Sequence, residues 1–174
     1  MSEGLVTLLQ GAGLAGAAFA AAQDVKARII PNPLVLWVAA TGLAAQFASG
    51  GWSGWLGLGA AIAVFLPLGL LAGRGIIGGG DAKMIAATTL LFAPARIPEL
   101  MLATALAGGL LALIYLAARP LVAAKADALA GAEGGRSSFG PIGDDLRRVA
   151  GGAPLPFGVA IFAACAFLLI RDVL

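Results

Sequence analysis

The sequence predicts an all-α, polytopic integral membrane protein with six transmembrane helices and both termini on the non-cytoplasmic side. Of the 174 residues, 60% are hydrophobic and only 11% are charged, and the apolar residues group into segments of roughly membrane-spanning length. Soluble domains carry about a quarter charged residues, so this chain could not cover a globular surface with polar groups. We expect a single transmembrane domain over residues 1–174.

Six apolar segments, separated by polar or glycine-rich breaks, are the predicted spans. They cover residues 4–22, 33–49, 55–72, 82–93, 99–118 and 155–171. No basic residue precedes the first segment, so it is interpreted as a helix and not as a secretory signal. Asn32 is predicted to cap the second helix, with Pro33 as its first residue.

Residues in the other breaks and in the third segment predict further local structure. Trp52 and Trp55 follow the second segment in an uncharged loop and are residue types typical of the membrane interface. Pro67 predicts a kink in the third helix. Pro98 and Glu99 fit the start of the fifth helix. Residues 119–154 are predicted to form a polar loop with room for a short amphipathic helix near 119–130.

The basic residues predict the orientation in the membrane. Nine lie in the loops after spans one, three and five: Lys26, Arg28, Arg74, Lys83, Arg119, Lys125, Arg136, Arg147 and Arg148. The opposite side has two, Arg96 and Arg171. Cytoplasmic loops of membrane proteins carry the excess of Lys and Arg, so the first set of loops is predicted to be cytoplasmic.

The chain contains one cysteine, Cys165, and no histidine. A lone cysteine in an apolar helix is typical of a packing residue. Without histidines or a cysteine pair, a zinc, haem or iron–sulfur site is not expected, and we predict no metal and no cofactor. Histidine acid–base chemistry is excluded, so any proton transfer would have to use Asp, Glu, Lys, Arg, Tyr or Cys side chains.

Two aspartates are the candidate functional residues. Asp24 is predicted at the cytoplasmic end of span one and Asp81 at the cytoplasmic start of span four, so the topology brings both to one membrane face. Ionisable groups at membrane depth are functional candidates. Either aspartate could instead cap a helix end and pair with a nearby basic residue.

Three consecutive glycines precede Asp81 and favour a functional interpretation. Gly78, Gly79 and Gly80 permit a tight bend and close approach of another backbone. Such backbone at membrane depth is tolerated where it is buried in protein or lines a cavity. A phosphate-binding loop is a weaker alternative, because the GxxxxGK[ST] spacing is absent and an aspartate would repel phosphate.

The motifs resemble those of the type IV prepilin peptidase family. Gly78-Gly79-Gly80-Asp81 is similar to the GxGD motif, and Lys83 follows as is common in that family. Asp24 with Ile30, Pro31 and Asn32 resembles the other aspartate motif. The stretch PLPFGVAI, residues 154–161, resembles the Pro-Phe-Gly stretch that opens the family's last helix.

The resemblance implies an aspartyl endopeptidase with Asp24 and Asp81 as catalytic residues and Gly78, Gly80, Lys83, Pro31 and Asn32 as supporting residues. It resembles the short form found with tight-adherence (Flp-type) pili, which implies a multi-pass protein of the bacterial inner membrane with its active site facing the cytoplasm. The expected substrate is a prepilin or pseudopilin cleaved after a glycine. Longer members of the family add an N-terminal cytoplasmic region with a cysteine cluster and N-methyltransferase activity. The short form that this chain resembles, with its single cysteine, implies peptidase activity without N-methylation. Expected partners also include membrane lipid and pilus-assembly machinery, and no nucleic acid.

The resemblance also implies a mechanism in which two carboxylates share a proton. Asp81 is predicted to begin a helix, whose positive end favours the ionised form, and Asp24 to end one. This leads to the hypothesis that Asp81 is the base and Asp24 the acid.

Two other functions stay open at this point. Signal peptide peptidase and presenilin also use GxGD, although their Pro-Ala-Leu motif is absent here. A small transporter or channel could use intramembrane aspartates as a proton relay.

Overall fold

The computed structural model describes residues 2–130 and 155–173, and this part of the chain is helical throughout, with short connections. The helices are α1 (Ser2–Ala27), α2 (Asn32–Ser49), α3 (Gly51–Gly73), α4 (Gly79–Thr89), α5 (Ile97–Ala130) and α6 (Phe157–Val173), with a 3-10 turn at Pro94–Arg96 before α5. The all-helical class predicted from composition is confirmed for these residues.

Several helices extend further than the sequence pattern predicted. α2 and α3 are separated only by Gly50, whose φ of 154° breaks the helix, so Trp52 and Trp55 lie in the first turns of α3 and not in a loop. α5 continues through Pro120 to Ala130, into the predicted polar loop, so the short helix considered near 119–130 is the end of α5 and not a separate helix. The alanine-rich sequence after Pro120 explains this, because alanine is the best helix former. The rest of that loop lies outside the described residues.

Three of the described helices are long and apolar enough to cross a membrane: Glu3–Ala27, Trp52–Gly73 and Pro94–Ala118. α4 has 11 residues, which corresponds to about 17 Å of helix, against a hydrocarbon core of about 30 Å. The membrane class is therefore supported, while the count of six spans and the orientation of the termini stay predictions.

The short helix α4 lies at the centre of the bundle. Every residue from Met84 to Phe92 is buried, and α1, α2, α3 and α6 all pack around this segment. Gly13 of α1 makes this packing close, because a Cβ there would lie 2.4 Å from a Leu91 side-chain carbon. Small residues that let helices approach closely are typical of helix packing in membranes.

The two ends of the bundle differ in what they contain. The first half of α1 lines a cavity of about 410 Å³ together with the last turns of α6, so these two helices are antiparallel. At this end, Arg96 and Arg171 pair with Glu99 and Asp172 in one ionic cluster. Asp24 and Asp81 lie at the other end.

Candidate active site

Asp24 lies in the last turn of α1, where the helix ends abruptly. Arg28 adopts a positive φ of 56°, and its N–H donates to the Asp24 carbonyl oxygen. This left-handed residue closes the helix and redirects the chain into the extended stretch that leads to Pro31. Asp24 itself is only 6% exposed. The helix end therefore places a carboxylate in a buried position.

Asp81 lies in the first turn of α4. Gly78 precedes the helix in an extended conformation, with φ −67° and ψ 132°, and Gly79 is the first helical residue. The Asp81 carboxylate folds back over Gly78, because its Oδ2 would lie 2.6 Å from a Cβ built on that glycine. Asp81 is half-buried.

Two contacts place the aspartates at the same end of the bundle. At one end of α4, the Gln10 amide of α1 donates to the Leu91 carbonyl at 2.8 Å. At the other, Gly80 lies against Ile30, just after α1, since a Cβ on Gly80 would be 3.2 Å from the Ile30 Cβ. α1 and α4 therefore run antiparallel. Asp24, at the end of α1, and Asp81, at the start of α4, lie at the same height along the bundle axis.

The electrostatics of Asp81 reflect this proximity. Asp81 lies outside the three helices that could span the membrane. Burial, and to a smaller extent the negative charge of Asp24, together raise the pKa of Asp81 to about 6. A carboxyl with a raised pKa beside a second carboxyl can hold a proton under conditions where ordinary carboxyls are ionised.

The glycine run is not uniform in its surroundings. Gly78 lies under the Asp81 carboxylate and Gly80 lies against Ile30, so a side chain at either position would meet a neighbour. Gly79 has nothing within 4 Å of the position a Cβ would take. The structure thus gives a steric reason for glycine at the first and third positions of the motif and none at the second.

The supporting residues predicted around Asp81 also meet across helices. Lys83 is exposed, and its Nζ donates to Asn32 Oδ1 at 3.3 Å. Pro31, and not Asn32, is the N-cap of α2, and no side chain caps that helix. The prediction of Asn32 as N-cap was wrong by one residue, because its side chain faces α4 instead of its own backbone. The segment that follows Asp24 therefore reaches α4 at Asn32, through the contact with Lys83.

A contact that sequence reasoning missed joins Asp24 to the start of α6. The Gly158 N–H donates to Asp24 Oδ2 at 2.8 Å, and both residues are buried. The Pro-Phe-Gly stretch is recognisable as a motif, but a contact between residues 134 positions apart leaves no local signal in the sequence. Asp24 therefore takes its environment from α6 as well as from α1.

The described residues contain no group of three His, Cys, Asp or Glu side chains that could hold a metal ion. Three acidic residues of the predicted polar loop, Glu133, Asp144 and Asp145, lie outside the described part of the chain. The arrangement therefore provides two carboxyl groups in different surroundings at one end of the helical bundle, with the exposed Gly78 beside Asp81.

Comparison with known proteins gave one match. The family model described as "Type IV leader peptidase family" matches residues 12–113, which is more than half of the chain and includes Asp24, the glycine run and Asp81. Neither the search of curated proteins nor the search of solved structures found a match.

Proposed function

The chain belongs to the type IV leader peptidase family, and from this premise we propose that it is an aspartic-type endopeptidase that removes the short cytoplasmic leader of Flp-type prepilins or pseudopilins. Cleavage after a glycine, at the cytoplasmic face of the bacterial inner membrane, is part of the proposal. The observation that supports it is the position of Asp24 and Asp81, from two antiparallel helices, at one end of the bundle, where the charge of Asp24 acts on Asp81.

The proposed chemistry needs one proton shared between the two carboxyls. The ionised carboxyl takes a proton from water as the water oxygen bonds to the peptide carbonyl carbon. The protonated carboxyl gives its proton to the carbonyl oxygen, which forms a neutral diol. When the diol collapses, the C–N bond breaks, the proton taken from water passes to the amine, and the second carboxyl regains its proton.

The surroundings of the two aspartates suit an extended peptide substrate. Gly78 is exposed at the start of α4 and lies against the Asp81 carboxylate. A backbone segment can therefore approach Asp81 at Gly78 without meeting a side chain there. The proposal is limited to the peptidase step, because Cys165 is the one cysteine in the sequence and cannot form a cysteine cluster.

The proposal is tested by co-expressing the protein with an Flp-type prepilin and following the shift in pilin size. We expect Asp24→Asn and Asp81→Asn each to abolish the shift, because an amide cannot exchange the proton. Glu3→Gln, at an exposed carboxylate in the first turn of α1, is the matched control and should cleave normally.

Accumulation of each variant in the membrane is measured alongside cleavage. Processing that survives either aspartate substitution would reject the pair as the catalytic group. No processing by the wild-type protein, together with proton flux that depends on both aspartates, would instead favour the transporter alternative.

A further inference from the structure

The start of α6 gives the two aspartates different surroundings. Asp24 accepts a hydrogen bond from the Gly158 backbone N–H, in the first turn of α6, within a buried site. Donation from N–H to a carboxylate stabilises the ionised form, and a helix N-terminus carries partial positive charge. Burial acts on both carboxyls, and Asp24 is the more deeply buried of the two, so the Gly158 donor is what distinguishes it. For Asp81, burial and the negative charge of Asp24 favour the protonated form.

We propose that Gly158 is a positioning residue that holds Asp24 as the ionised member of the pair, so that Asp24 is the base that activates water and Asp81 is the acid. This inference rests on the proposed function for its catalytic meaning. It reverses the hypothesis from sequence, which considered only the helix to which each aspartate belongs. In the structure, Asp24 ends α1 but also faces the beginning of α6.

The absence of a side chain at residue 158 is part of this geometry. A Cβ on Gly158 would lie 3.1 Å from Asp24 Oδ2, 3.2 Å from its Cβ and 3.4 Å from its Cγ. Alanine would therefore push the carboxylate away from the N–H while leaving the N–H itself in place. The substitution changes the hydrogen bond without changing any charge.

The described elements around this carboxylate carry few other charged residues. α4 carries Asp81 and Lys83, and the end of α1 carries Lys26 and Arg28. α2 has no charged residue, and α6 has none before Arg171, at its far end. The Gly158 N–H is the donor that α6 supplies.

The first test is the pH profile of kcat/KM for cleavage of a prepilin by the purified full-length protein. Gly158→Ala is expected to lower kcat at least about tenfold and to move the acid limb of the profile upward by about half a pH unit or more, because the ionised member is less stabilised. Gly109→Ala, on α5 with nothing within 4 Å of its Cβ position, is the matched control. Lower activity at every pH with an unmoved acid limb would mean a purely structural role and would overturn the proposal.

The second test needs neither cleavage nor a folded Gly158 variant. Infrared spectra of the wild type, Asp24→Asn and Asp81→Asn are recorded at about pH 5, between the ordinary range of carboxyl groups and the pKa of about 6 of Asp81. The wild type minus Asp81→Asn difference should contain the C=O stretch of a protonated carboxyl. The wild type minus Asp24→Asn difference should contain carboxylate bands. The reverse pattern would overturn the assignment, whether or not the protein cleaves prepilins.

Discussion

At the scale of single residues, direct contacts are expected to decide which of the two carboxyl groups is ionised. A hydrogen bond to a charged group is worth about 1.5–3 kcal/mol, whereas a charge at a helix end is typically worth about 0.3–1 kcal/mol. The Gly158 N–H is therefore expected to outweigh the unfavourable position of Asp24 at the end of α1. The same scale explains the glycine motif, in which Gly78 and Gly80 are crowded and Gly79 is open.

The glycines allow a prediction within one motif. Gly78→Ala is expected to reduce prepilin cleavage by tenfold or more, because the added methyl group would occupy the space of the Asp81 carboxylate. Gly79→Ala, one residue along, is expected to cleave at close to the wild-type rate, because nothing lies within 4 Å of the position that its Cβ would take. Initial rates and thermal unfolding of both variants in detergent check this. Equal loss of activity in the two variants would contradict the steric explanation.

At the scale of elements, α4 is a short helix whose end is buried. The last carbonyls of α4 accept from the N–H groups of the turn that follows, Leu90 to Phe92, and the buried carbonyls of that turn need partners from elsewhere. The side-chain amide of Gln10 donates to the Leu91 carbonyl, and that of Gln46 donates to the Phe92 carbonyl. Two glutamines on neighbouring helices thus hold the turn that follows the helix carrying Asp81.

These glutamines are predicted to stabilise the fold. Gln46→Leu should lower the free energy of unfolding by about 1–3 kcal/mol, because it leaves a buried carbonyl without its donor. Gln10→Leu should have a smaller effect, since Gln10 is only half-buried. Gln23→Leu, an exposed glutamine on α1, is the control and should change little. Thermal unfolding in detergent measures all three variants. An unchanged stability of Gln46→Leu would show that the hydrogen bond from the Gln46 amide is dispensable.

At the scale of the whole molecule, charge is distributed along the bundle axis. Lys26, Arg28 and Lys83 lie at the end with the two aspartates, while Arg96 and Arg171 lie at the other end in an ionic cluster with Glu99 and Asp172. For these five residues, the split that the sequence predicted between loops is also a split between the two ends of the bundle. The positive-inside rule predicts that the end with the aspartates faces the cytoplasm.

This orientation can be measured by cysteine labelling in intact spheroplasts. Ser49→Cys, at the α2–α3 connection, is expected to react with a membrane-impermeant maleimide from outside. Arg74→Cys, at the end of α3, is expected to react only after lysis. Both positions are exposed, and the native Cys165 is completely buried, so background labelling should be low. The opposite accessibility would place the aspartates on the outer face and remove the proposed prepilin leader as substrate.

The sequence by itself determined the membrane class, the helices and the two candidate aspartates, because hydropathy, glycine runs and charge are local properties of the chain. It underestimated the length of α5 and placed the α2 cap one residue late, since helix ends depend on which side chains find partners elsewhere. Only the tertiary structure brought Gly158 to Asp24 and the glutamines to the end of α4. Those contacts join residues far apart in sequence, and the packing of α6 and α2 around α4 decides them, so the protonation state of each aspartate is a property of the assembled bundle.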